Sequence, residues 1–212
     1  MEINWYGHSC FSIKGKEATV VCDPYEKDLS YKLPKLKANI VTISHEHLGH
    51  NRTKDIEGDP KIVRHPGEYE IKNVFIMGLP NYHDSQHGEN RGKNIAYIIE
   101  IDDVRVCHLG DLGHKLNSQQ IEDISEVGVL FIPVGGVSTI DAKMAAELVR
   151  LINPKVVIPM HYATDVTTWL EPIDKFVSEM GLKEAVAQPK LNVTAGNLPL
   201  DTRVTILDYR LS

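Results

Sequence analysis

Cysteine is scarce in this sequence and poorly placed for structural bonds. There are three, Cys10, Cys22 and Cys107, which cannot all pair, and no Cys-x-x-Cys occurs. That argues against a disulfide scaffold or a cysteine-based zinc knuckle. All three lie in apolar runs, the usual setting of buried, reduced thiols. Long hydrophobic stretches are also missing, none approaching the ~20 residues that span a bilayer, so no membrane association is expected. The opening residues, Met1-Glu2-Ile3-Asn4-Trp5, lack a basic stretch followed by an apolar run, so they do not read as a secretory signal. A reducing, cytoplasmic location is the resulting expectation. Positive charge is in deficit, with 23 Lys and Arg against 29 Asp and Glu and a net charge of −6. With no basic, aromatic-interleaved stretch, a nucleic-acid partner is not expected.

What is present suits one soluble α/β domain over residues 1–212. The sequence is 42% hydrophobic and 25% charged, ordinary for a globular chain, and no repeat, low-complexity tract or linker interrupts it. At this length roughly 70% of the unfolded surface is buried on folding. Short β-rich segments open the chain near 2–6, 10–14 and 18–22, with a Lys14-Gly15-Lys16 turn between the second and third. Residues 40–43, 61–64, 73–79, 95–101 and 104–109 read as further strands, the last two joined by Asp102-Asp103. Beyond them, helices alternate with strands: helices at 118–124, 141–152 and 169–179, and strands at 129–133, 156–159 and near 203–208. In the second helix Ala142, Ala145, Ala146, Val149 and Ile152 recur at helical spacing, Asp141 is a candidate N-cap, and Asn153-Pro154 is a stop. Two sheets covered by helices satisfy this order, as other α/β arrangements also would.

The sequence has ten histidines, many for its length. His45, His47 and His50 follow the strand at 40–43, His83 follows 73–79, Asp111 follows 104–109 and His161 follows 156–159. Residues at strand ends on one edge of a sheet converge, and imidazole and carboxylate are the ligands of zinc and related divalent ions. The spacing of His45, His47 and His50 differs from that of a helical His-Glu-x-x-His site and suits a loop curling around an ion. A solvated histidine-rich loop is the competing reading of the cluster alone.

The run His45-Glu46-His47-Leu48-Gly49-His50 resembles the His-x-His-x-Asp-His motif of the metallo-β-lactamase superfamily. Asn81-Tyr82-His83-Asp84, Leu109-Gly110-Asp111 and Pro159-Met160-His161 resemble its later motifs, so the likeness covers essentially the whole chain. Trp5-Tyr6-Gly7-His8-Ser9, Asp23-Pro24, Pro66-Gly67-Glu68, Arg91-Gly92-Lys93-Asn94, Asp111-Leu112-Gly113-His114 and Pro133-Val134-Gly135-Gly136 are similar to a branch of metal-dependent hydrolases near the ascorbate-6-phosphate lactonase-like proteins. The resemblance implies a four-layer αββα sandwich with one or two divalent ions, zinc first and manganese, nickel or iron as alternatives. It implies a first ion on His45, His47 and His83, a second on His50 and His161, and Asp111 bridging both. The implied activity is attack of a metal-activated hydroxide on a small carbonyl- or phosphoryl-containing substrate.

Gly49 breaks the motif, because it stands where the superfamily has an aspartate ligand to the second ion, and glycine cannot coordinate. The second position is then weak, rebuilt from another residue, or part of a chain that keeps the fold but has little or no catalysis. His8, ending the first strand, is the substitute expected if the position is rebuilt. His114 is a weaker candidate ligand and is read, beside Asp111, as a catalytic residue that supports the site from behind the ligands or faces substrate. Asp23 is expected to orient a ligand histidine, Arg91, Lys93 and Asn94 are candidate anion holders, and His108 is expected to be packed.

Overall fold

The computed structural model describes residues 1–26, 29, 31, 33–184 and 186–210. Two sheets dominate. The first has six strands in the order β13-β1-β2-β3-β4-β5, and the second has seven, β14-β11-β10-β9-β8-β7-β6. In the first sheet, β1 (Glu2–Trp5), β2 (Phe11–Lys14) and β3 (Thr19–Cys22) form an antiparallel meander. Then β4 (Ile40–Thr42) and β5 (Lys61–Val63) join in parallel. The far edge strand is β13 (Leu191–Asn192), antiparallel to β1.

The second sheet begins with three strands, β6 (Gly67–Ile71), β7 (Val74–Tyr82) and β8 (Lys93–Ile101), each antiparallel to the next. It continues through β9 (Val104–His108), antiparallel to β8. The parallel block β9, β10 (Val129–Pro133), β11 (Val156–Met160) and β14 (Arg203–Val204) completes it. Helices α1 (Ser118–Asp123) and α2 (Ala142–Ile152) are the crossovers into β10 and β11, as parallel pairing requires.

Alternation along each strand places side chains on both faces of the first sheet. Val20, Cys22 and Ile40 join the main core, while Val21 and Val41 face a second cluster with Tyr25, Tyr31, Leu36 and Ile56. Strands β10 and β11 are buried at every position, the near-continuous apolar pattern of a strand covered on two faces. Phe11 of the first sheet stacks on Phe131 of the second with ring centroids 4.1 Å apart. Tyr97 donates across the sheets to the carbonyls of Ile43 and Val63 at 3.0 and 3.2 Å. Helix α2 lays Ala145, Ala146 and Val149 on the same core.

The fold class is the αββα sandwich expected, with three local differences. Over the outer face of the first sheet, the described residues form no α-helix and include a 3-10 turn at Thr53–Asp55; Pro24, Pro34 and Pro60 interrupt any helix there. Helix α3 (Ile173–Glu179) starts later than 169 because Pro172 is its N-cap and excludes helical backbone from the residue before it. The closing strand is split. Its first half pairs with β11, while β15 (Ile206–Leu207) pairs with β12 (Ala187–Gln188) in a separate ribbon. Asp141 caps α2 as expected, accepting from the Met144 amide at 2.8 Å, and Asn117 caps α1.

Candidate metal centre

The topology explains why residues far apart in sequence meet. In the first sheet β1, β3 and β4 run the same way, and their C-terminal ends lead into His8, Asp23 and the run from His45 to His50. In the second sheet β7, β9 and β11 run the same way and lead into His83, Asp111 and His161. Every residue of the cluster thus leaves a strand on one edge of its sheet, and the two edges face each other.

Asp111 is the focus. Its Oδ2 lies 3.2 Å from His161 Nε2, 3.3 Å from His50 Nε2 and 3.4 Å from His83 Nε2, and Ser9 donates to Oδ1 at 3.3 Å. Two groups of ligand-bearing residues share this neighbourhood, His8, His50, Asp111 and His161 in one and His45, His47 and His83 in the other, and within each group the donor atoms lie within 4.8 Å of one another. All are buried except His47.

Asp23 fixes two of these rings. His50 Nδ1 donates to Asp23 Oδ2 at 2.8 Å. The Ser44 hydroxyl also donates to Asp23 and accepts from His45 Nδ1 at 2.9 Å. Both rings therefore turn Nε2 inward, and His45 Nε2 is buried without a hydrogen-bond partner. Carboxylate-held imidazole of this kind is the usual outer support of a metal ligand, the role expected of Asp23.

The electrostatics fit a cation. Burial drives the His45 imidazole far below its usual pKa, and burial together with His161 and His50 does the same to His8, leaving both neutral and able to coordinate. Burial opposes charge on Asp111 too, but His161 and His50 hold its carboxyl well below the usual range. His50 is the exception: burial pulls its pKa down, yet Asp111 and Asp23 raise it to about 10. Without a metal, the proton on His50 supplies positive charge to two buried carboxylates. A divalent cation meets the same need, with the unpartnered His45 Nε2 turned toward it.

His8 lies where the sequence reading placed its substitute ligand. Its Nε2 is 3.1 Å from His50 Nε2. A Cβ built on Gly49 would stand 3.1 Å from that same His8 atom, so the imidazole fills the space a side chain at 49 would enter. His8, Asp23 and His161 all have left-handed backbone, with φ of 51°, 44° and 51°, a conformation costing non-glycine residues ~1 kcal/mol or more. At His8 one local and one cross-sheet bond hold it, since the His8 carbonyl accepts from Trp5 Nε1 and from the His161 amide, both at 3.1 Å.

His114 does not enter the cluster. Its Nε2 accepts from the Tyr82 amide at 3.2 Å and its Nδ1 donates to the Lys115 carbonyl at 2.9 Å. His108 is packed as expected, with Nε2 on the Ser9 carbonyl at 2.8 Å. Asn94 is buried and supports Asp111, accepting from its amide at 3.0 Å, so it is not free to hold an anion. Sequence reasoning missed Ser44 and Ser9 as supports; the signal for Ser44 was its place directly before the histidine run. It also missed Gly113, where a Cβ would lie 2.3 Å from the His83 carbonyl carbon.

Comparison with known proteins agrees with this geometry. The β-lactamase superfamily domain profile matches residues 2–161. A UPF0173 metal-dependent hydrolase of Staphylothermus marinus is 31% identical over 194 residues, covering 76% of this chain and 83% of that protein. A UPF0173 protein of Pyrococcus abyssi is 29% identical over 188 residues, covering 77% and 84%. A Thermotoga maritima crystal structure, described as a candidate zinc-dependent hydrolase of the metallo-β-lactamase superfamily, has a TM-score of 0.81 at 35% identity and covers 97% of both chains. An Ignicoccus hospitalis metallo hydrolase shares the fold with a TM-score of 0.66 at 20% identity, covering 91% of this chain and 99% of that one. The chain belongs to the β-lactamase superfamily domain family and, within it, to the UPF0173 metal-dependent hydrolases.

Proposed function

We propose that this hydrolase works through two adjacent cation positions. His45, His47 and His83 hold the first, His8, His50 and His161 hold the second, and Asp111 stands between them. Zinc is the ion this donor set favours, with manganese, nickel or iron as alternatives. The observation that carries the reading is the convergence of three buried imidazole Nε2 atoms on one carboxylate oxygen, Asp111 Oδ2. A bound divalent ion supplies Lewis-acid polarisation of the substrate and activation of water near neutral pH. The chain's part is to hold the donors in place through Asp23, Ser44 and Asn94. His114 is a positioning residue that fixes the Tyr82 backbone beside His83.

A catalytically silent fold is the second reading, and Gly49 motivates it. The His8 ring filling the space beside Gly49 favours a rebuilt position over a lost one. The substrate is a small carbonyl or phosphoryl compound, in the lactone, ester or phosphoester class. The chain is read as one domain, because the main core runs from Ile3 to Leu207. A cytoplasmic setting suits three buried free thiols, and no helix among the described residues is long and apolar enough to cross a membrane.

Elemental analysis with calorimetric metal titration tests the site. Two equivalents are expected for the natural chain and one for His8→Ala. Absence of metal-dependent turnover on lactones, thioesters and phosphodiesters alike would overturn the hydrolase chemistry proposed.

A further inference from the structure

A cavity of about 840 Å³ opens onto the first cation position, with Ser44, His45 and His47 in its wall. Its charge is opposite to that of the molecule. The protein carries a net charge of −6, yet Arg64, Arg91 and Lys93 line this cavity against one carboxylate, Glu46. Glu46 is already paired with Arg64 at 3.2 Å, which leaves the charges of Arg91 and Lys93 uncompensated by any carboxylate lining the cavity.

Arg91 is also held in place. Asp84, the residue after His83, accepts from the backbone amides of Gln86, Gly88, Asn90 and Arg91 at 2.8, 2.9, 3.0 and 2.7 Å. One carboxylate therefore winds the 84–91 loop into a fixed shape and presents Arg91 at the cavity mouth. Lys93 begins β8 directly opposite Tyr82 in the ladder, so a rigid sheet edge carries it. The lining also includes Pro66, Pro80 and Ile95, apolar surface suited to a short carbon chain.

We propose that Arg91 and Lys93 form an anion subsite, and that the substrate is an ester or lactone bearing a separate carboxylate or phosphate-like group. The anionic group sits between the two cations while the scissile bond lies toward His47. This rests on the hydrolase reading above. Arg91 and Lys93 are specificity residues that touch the substrate's charge and take no part in bond breaking.

The test uses the metal-loaded full chain and three 4-nitrophenyl esters: hydrogen glutarate, 3-phosphonopropionate and the neutral methyl glutarate. Charge-assisted contacts of this kind predict that kcat/KM for an anionic ester exceeds that for the neutral one by roughly tenfold to a hundredfold. The difference should lie mainly in KM. In Arg91→Gln/Lys93→Gln the preference collapses toward one, and Arg91→Lys recovers part of it. Whichever anionic ester is preferred identifies carboxylate or phosphonate as the better group. Equal turnover of charged and neutral esters by the natural chain overturns the subsite and leaves the hydrolase standing. Calorimetric binding of glutarate and 3-phosphonopropionate is read in parallel. Binding lost in the double variant, with no ester hydrolysed, supports the subsite and counts against the hydrolase chemistry. No binding and no charge preference overturns the subsite.

Discussion

Gly49 and His8 are best understood together. The superfamily motif places an aspartate at this point, and the sequence alone left three outcomes open: a weak position, a rebuilt one, or a silent fold. The 3.1 Å between a Cβ built at 49 and His8 Nε2 is tighter than an ordinary contact, so His8 has to give way to admit a side chain there. Restoring the aspartate alone is therefore expected to displace His8 rather than add a ligand. In calorimetric metal titration, His8→Ala should lose the second equivalent, and the double variant His8→Ala/Gly49→Asp should regain it. A double variant that binds no better than His8→Ala would count against the exchange. The sequence named both residues, but their contact was not readable from it, since it depends on the loops after β1 and β4 meeting at one edge of the first sheet, across the intervening β2 and β3.

At the scale of elements, the strands and helices that carry the site were largely legible. The β1 to β4 segments, the β7 to β11 segments and α2 were expected close to where they lie, because each has a strong apolar pattern bounded by Gly, Pro or paired Asp. Asp141 at the head of α2 is a cap whose replacement by alanine should cost about 1 kcal/mol in urea unfolding. A loss indistinguishable from zero would mean that the helix is held by packing alone. Misreadings fell where local signals were weak. Edge strand β6 alternates Glu68 and Glu70 outward with half-buried Tyr69 and Ile71, but glutamate has poor strand preference and Pro66-Gly67 reads as a turn. The ribbon of β12 and β15 has two residues per strand, too short to leave a period. His114 was read as supporting the site from behind the ligands or facing substrate because it follows Asp111 closely in sequence; its ring lies against Tyr82 and both of its nitrogens bond to backbone.

For the whole molecule, burial governs the thiols. Cys10, Cys22 and Cys107 are free and buried, and burial pushes Cys22 and Cys107 up to about 12, far from the thiolate that reacts. Ellman's reagent should therefore modify none of them in the folded protein and all three once it is unfolded in guanidinium. Rapid labelling of a folded sample would contradict the packing described.

The ties at the His8 carbonyl have a consequence for synthesis. Trp5 and His161 both donate to that carbonyl, so the loop after the first strand is held in its left-handed shape by a strand made much later. A chain growing on the ribosome can complete the His45, His47 and His83 trio well before the His8, His50 and His161 trio can exist. Such distant pairing slows assembly. On the two-position proposal, the donor groups therefore assemble in a fixed order, and a truncated nascent chain that ends before β11 lacks His161 of the second group.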